Sequence, residues 1–292
     1  MDLRVGIVGA GGIGKLLAKV LINKGFRVKL YDIDRGVLRR AELLGFEITG
    51  YLSELINWCD HAVIAVPPNE VLNTLRSIRY LLSNYSLSKV VYDVTTFKEG
   101  LISEYLRFPK YVKVTSIHPM FGTGMRSLEK HVVLITPIPS RESDTYEVEL
   151  LYSELGFKVI RLGIEEHDDL VATYVGTSYV IATLIANYVV RNDLMSKGIY
   201  GTTFKYLLTH CLAVMRDKEE FIGYVLSNER VRRRVRELIS ILNDLLRSND
   251  EVIKSVRLLK ELIRSEVINT AYEVMYDVIE GSLGDLLSSF ST

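Results

Sequence analysis

Two groups of residues have types and spacings suited to chemistry. One is Gly9, Gly11 and Gly14 in VGAGGIG; the other is His118 at the head of HPMFGTG. The glycines follow a β-like run and open a helical pattern, the setting in which G-x-G-x-x-G cradles a pyrophosphate. Gly9 permits a tight turn, Gly11 lets the backbone approach the phosphates, and Gly14 lets the helix pack on the strand. Gly12 and Ile13 complete this turn, and the anion would lie at the positive end of the helix. Asp32 closes the second β-like run, RVKLYD, 18 residues after Gly14. A carboxylate there can bond both ribose hydroxyls and would repel a 2′-phosphate, so NAD is expected in preference to NADP. Arg35 stands close enough to soften that preference. Pro67 and Pro68 follow HAVIAV, where the chain would turn beneath the nicotinamide ribose; an ordinary proline loop is the other reading.

His118 ends the run VKVTSI on what should be the carboxyl edge of a sheet, where ligands of open α/β sheets bind. A neutral imidazole there can accept a proton from a hydroxyl while the neighbouring carbon gives hydride to NAD. Pro119 would fix the backbone, with Gly122 and Gly124 folding the next loop tightly over a ligand. The bland reading is a histidine packed beneath that loop.

These residues need elements to hold them. Seven largely apolar runs, LRVGIVG, RVKLYD, HAVIAVP, KVVYDV, VKVTSIH, HVVLITP and KVIRLG, read as strands buried on both faces of a parallel sheet. Helical stretches such as Ile13–Lys24 lie between most of them, which predicts a doubly wound α/β domain over residues 1–163. Residues 164–292 are helical in pattern, with turn signals near Lys197–Gly201, Arg216–Asp217 and Ser248–Asp250. The 36 basic and 36 acidic residues balance, so no overall field points to nucleic acid. The run RVRRRVR at Arg230–Arg236 reads as a solvated helix face. Cys59 and Cys211 fit no ligand spacing, no metal cluster is expected, and both read as buried thiols of a reducing compartment. Leu170–Val190 carries no charge over 21 residues, about a membrane span. Its Thr, Ser, Asn and Gly residues and the flanking Asp168 and Asp169 favour a helix buried in a core or a subunit interface. The expectation is a soluble, cytoplasmic homodimer with no leader before the fold.

HPMFG, DVTTFK (Asp93–Lys98) and EEHDDLVA (Glu165–Ala172), in that order after a dinucleotide fingerprint, resemble the prephenate/arogenate dehydrogenase family over nearly the whole chain. The resemblance implies a Rossmann-like doubly wound domain followed by an all-helical dimerisation domain. It also implies NAD-linked oxidative decarboxylation of prephenate to 4-hydroxyphenylpyruvate in tyrosine and aromatic amino-acid biosynthesis. The family's catalytic histidine falls on His118, and the Ser/Thr of its D-x-x-S/T-x-K loop falls on Thr96. Lys98 could face the nicotinamide or a substrate carboxylate, or simply start a helix. Asp168 reads as an acid at a helix N-terminus, and His167 as an interdomain hydrogen-bonding residue. The family's further histidine has Gly176 and Tyr179 at its places, and its substrate arginine falls in GTTFKYLL, on Phe204, Lys205 or Tyr206. Lys205, Arg126 and Lys130 are the other cations available to a carboxylate. Alternatives are arogenate, another small acid or imine, or a dinucleotide-binding regulator without turnover.

Overall fold

The computed structural model describes residues 3–195 and 200–281. Contacts gather into two compact units, Met1–Val171 and Ala172–Thr292. The division falls eight residues beyond the expected Gly163 boundary, because helix α7 (Ile164–Val171) packs with the sheet unit.

All seven expected strands form: β1 (Arg4–Val8), β2 (Arg27–Tyr31), β3 (His61–Ile64), β4 (Val90–Asp93), β5 (Lys113–Pro119), β6 (Val132–Pro137) and β7 (Lys158–Arg161). They make one sheet in the order β2-β1-β3-β4-β5-β6-β7. A single parallel bridge joins Leu30 of β2 to Ile48 at the sheet's outer edge. One expectation fails: β5 and β6 run antiparallel. The loop between them contains no helix, and without a crossover the chain can only reverse.

Alternate strand residues enter two cores. Val5, Ile7, Tyr92 and Ile117 pack with Leu17 and Leu21 of α1 (Gly12–Asn23) and Leu151 of α6 (Tyr146–Leu155). Val8, Ile64, Val91 and Val114 pack with Leu55 of α3 (Leu52–Trp58) and Leu75 and Ile78 of α4 (Val71–Tyr85). Both faces of the sheet are thereby covered, as apolar strands without alternation require.

The second unit opens with a π turn at Ala172–Gly176 and continues through α8 (Thr177–Arg191), α9 (Thr202–Val214), α10 (Glu219–Ser227), α11 (Glu229–Leu245), α12 (Asn249–Leu262) and α13 (Ser265–Glu280). Residues 197–199 of the expected turn at Lys197–Gly201 lie outside the described residues. Its cores are small: Ala182, Cys211 and Val214 form one, Val189 and Leu208 another. On α11, Val231 is buried while Arg232 and Arg234 pair with Glu229 and Glu237, so the basic run lies along a helix with its valine inward. Cys59 and Cys211 are buried free thiols.

Candidate active site

The chain leaves β1 toward β2 on one side, while β3 lies on the other. The carboxyl ends of β1 and β3 therefore open a crevice at a topological switch point. Gly9 turns the chain there with φ +106°, and a Cβ on it would stand 2.4 Å from the Ala65 carbonyl oxygen. A Cβ on Gly14 would lie 1.9 Å from the Gly9 oxygen, so α1 approaches the strand only because no side chain intervenes. On Gly12 it would lie 2.8 Å from Thr123, in the loop after β5. Gly11 differs: it caps α1 in an extended conformation, and a Cβ there would meet nothing within 4 Å. No protein contact demands glycine at that position, whereas a pyrophosphate lying over the turn would. Ile13 is half-buried in the first helical turn.

Asp32 follows β2. Its Oδ2 accepts the Ala10 N–H at 2.8 Å and its Oδ1 accepts the Asp34 N–H at 2.9 Å. These bonds fix the carboxylate at the mouth of the turn and leave each oxygen a lone pair for a ribose hydroxyl. Arg35 lies over the Tyr51 ring, 5.7 Å from its centroid, which occupies part of its guanidinium. Ile33, not anticipated from sequence, is 87% exposed beside Asp32. Pro67 is exposed on the loop that follows β3.

The neighbouring end of the sheet is built from buried side chains. His118, on β5 opposite Leu134 of β6, is 7% exposed, and its Nδ1 has no partner. Burial, then the charge of Lys98 and the neighbouring His167, hold it well below the ordinary 6.5, so it is neutral at physiological pH. Its ring lies 5.3 Å from that of His167, whose Nδ1 is 2.8 Å from Asp168 Oδ1. Burial also holds His167 below 6.5 against the opposing pull of Asp168.

Asp168 does not cap its own helix as expected. It sits within α7 and accepts the backbone N–H groups of Lys98, at 3.0 and 3.1 Å, and of Glu99, at 2.9 Å. His167 likewise finds its partners inside the first unit. Lys98 needs the firmest correction as a ligand for substrate. It is 1% exposed, and its ammonium donates to Asp93 Oδ2 at 3.1 Å, to the Ile117 carbonyl at 2.6 Å and to the Thr95 carbonyl. All three of its donors are engaged, and none remains for a carboxylate. Asp93, unmarked as a site residue by sequence, also accepts from the hydroxyls of Ser116 and Tyr105, each at 2.6 Å, and from the Thr95 N–H at 2.7 Å. Burial works to raise this carboxyl, yet Lys98 and those donors hold it below the usual carboxylate range.

Thr96 is buried on the loop that Lys98 and Asp168 tie down. Gly122 and Gly124 have neither positive φ nor a close neighbour, so the fold of their loop does not depend on glycine at either place. Arg126 and Lys130 are exposed on the same loop. Tyr179 and Lys205 belong to the second unit, on α8 and α9; the Tyr179 hydroxyl donates to Asp217. Gly176 has a packing reason: a Cβ on it would lie 2.6 Å from Val231. Among the described residues no three His, Cys, Asp or Glu side chains gather to hold a metal.

A doubly wound sheet with a glycine turn at its switch point defines the class of dinucleotide-binding α/β domains. Residues 17–160 match the family described as prephenate dehydrogenase, nucleotide-binding domain. A probable arogenate/prephenate dehydrogenase of Methanocaldococcus jannaschii is 32% identical over 187 residues, which span 61% of this chain and 40% of that protein. The match thus covers less than half of that relative. Among solved structures, prephenate dehydrogenase from Aquifex aeolicus, in complex with hydroxyphenyl propionate and NAD+, superposes at a TM-score of 0.67 with 20% identity, over 96% of this chain and 98% of that one. Synechocystis arogenate dehydrogenase gives 0.63 and 18%, covering 92% and 100%. At those identities the structures attest to the fold. The family match, over just under half of the chain, assigns residues 17–160 to the nucleotide-binding domain of the prephenate dehydrogenase family.

Proposed function

We propose that the protein oxidises and decarboxylates prephenate with NAD as acceptor, giving 4-hydroxyphenylpyruvate; arogenate presents the same ring and is the alternative substrate. The observation that carries this reading is a neutral, buried His118 at the carboxyl end of β5, on the same sheet edge as a glycine turn open above Gly11. Gly9, Gly11, Gly12, Ile13, Gly14, Asp32 and Pro67 suit a dinucleotide, with Ile33 offering an apolar surface to the adenine. A bound nicotinamide would take up the hydride released from the substrate's C4. His118 takes the C4 hydroxyl proton, and Thr96 orients that hydroxyl. As the C4 carbonyl forms, the ring accepts the electron pair of the C1–carboxylate bond. Carbon dioxide leaves, the ring aromatises as a phenolate and His118 returns its proton to that oxygen; aromatisation makes the step irreversible. Arg126 and Lys205 remain the cations proposed for the carboxylates; the single donor of Tyr179 is already given to Asp217. The test is reduced-nicotinamide absorbance with prephenate and with arogenate, each with NAD and NADP. Turnover with NAD on either substrate is expected; none on both would overturn the reading.

The helical run Ile164–Arg191 is long and apolar enough to cross a membrane by length and composition, and 22% of its most apolar window is buried. On α8, Ile181, Leu184 and Tyr188 are exposed along one face, while Thr177, Ser178 and Asn187 bond to backbone carbonyls one turn back. A second copy in a soluble, cytoplasmic homodimer is the cover we assign to that face. A light-scattering mass of one chain at micromolar concentration would overturn that assignment.

A further inference from the structure

Two buried ring nitrogens near each other lack partners: His118 Nδ1 and His167 Nε2. Their rings meet at 62° with centroids 5.3 Å apart, and the two nitrogens are not bonded to each other, a gap of the kind one bridging water closes. The protons follow by elimination. Asp168 accepts backbone N–H groups from Lys98 and Glu99, so its carboxylate acts as an acceptor, and its Oδ1 lies 2.8 Å from His167 Nδ1. His167 therefore carries its proton on Nδ1, and its Nε2 is a bare lone pair. A buried acceptor without a donor is costly. The orphaned His118 Nδ1 is its complement if that nitrogen bears hydrogen.

We propose that Asp168, His167 and His118 form a positioning chain in which one bridging water takes the Nδ1–H of His118 and donates to His167 Nε2. This fixes His118 in the tautomer whose Nε2 is free to take the substrate's proton. The inference rests on the reading of His118 as the base. His167 is a positioning residue, not a catalytic one. When His118 Nε2 gains the hydroxyl proton, its Nδ1–H bond to the bridging water becomes charge-assisted. No second proton moves, and Asp168 stays a carboxylate. The same carboxylate holds the N–H groups of Lys98 and Glu99, so one residue orients the base and anchors the loop carrying Thr96. The remaining charges beside the pair, Lys98 and Asp93, are engaged with each other.

Two substitutions separate positioning from packing. His167→Asn keeps an amide where Nδ1 stood and puts nothing at Nε2, whereas His167→Gln reaches the Nε2 position with an acceptor oxygen. The Asn variant should lower kcat by about tenfold or more with NAD binding retained, and move the acid limb of kcat to lower pH. The Gln variant should recover most of the loss. In the unmodified protein, 15N-histidine NMR should find the His118 proton on Nδ1. A folded Asn variant with unchanged kcat and pH profile, a loss that Gln does not relieve, or a His118 proton found on Nε2 would each overturn the proposal. The NMR result stands without turnover, so an inactive parent protein would sink the functional reading while the tautomer is still decided.

Discussion

The two ends of the sheet's carboxyl edge are built by opposite means. Beside β1 and β3 the backbone makes the site: Gly9 and Gly14 are excluded from bearing side chains by carbonyl oxygens, and Asp32 bonds to main-chain N–H groups. Beside β4 and β5 side chains make it: Asp93, Lys98, His167 and Asp168 are buried and bonded around His118. A site made of backbone tolerates change wherever no atom presses on it. A site made of buried charges does not, since removing one partner strands the other in low dielectric.

The sharpest way to break this contrast is at His118. His118→Asn should leave NAD binding intact and cut turnover about a hundred- to ten-thousandfold. A folded variant keeping more than about a tenth of the rate would return His118 to the side-chain scaffold and leave the base unassigned. Asp93→Ala should destabilise the fold by about 3–5 kcal/mol in urea titration, because the Lys98 ammonium is left buried and unpaired. Adding Lys98→Met to it should return part of that loss; a single variant as stable as the parent would show that the pair bears no strain.

The glycine turn offers a finer test. Gly14→Ala forces a methyl to 1.9 Å from a carbonyl oxygen and should cost about 1–3 kcal/mol or more. Gly11→Ala meets no protein atom, so its melting temperature should match the parent's, while NAD binding weakens by about tenfold or more. Equal effects from the two on stability would erase the distinction between glycines kept for packing and one kept for a ligand.

The most gradual effect is with pH. Burial holds His61, His118 and His167 below 6.5 in the folded chain. Between their folded values and about 6.5 the unfolded chain binds more protons, so stability should fall as pH drops through that window and stay level above about pH 7. Each histidine contributes up to about 1.4 kcal/mol per pH unit. Urea midpoints that do not change between about pH 7.5 and 5.5 would contradict the burial of all three.

What was legible in the sequence follows the same contrast. Strand runs, the glycine turn, Asp32 and the strand-end position of His118 are local, each fixed by residues within a few positions of one another. The antiparallel direction of β6 is not legible there, because apolar runs carry no direction and only the missing crossover helix decides it. Lys98 stays open in the sequence between a ligand and a helix-start residue for the same kind of reason: a lysine after a strand is ambiguous until its burial is known.

The sequence by itself determined that a dinucleotide turn would form at Gly9–Gly14, and that a histidine would stand at a strand end nearby. Backbone conformation and hydrophobic period are short-range properties, and they are written in neighbouring residues. Only the tertiary structure decided that Asp168 closes on Lys98, 70 positions away, and that His167 lies against His118. Burial is what makes those contacts matter. It strips water from charges and ring nitrogens, so each must find a partner wherever the fold brings one, however distant in the chain.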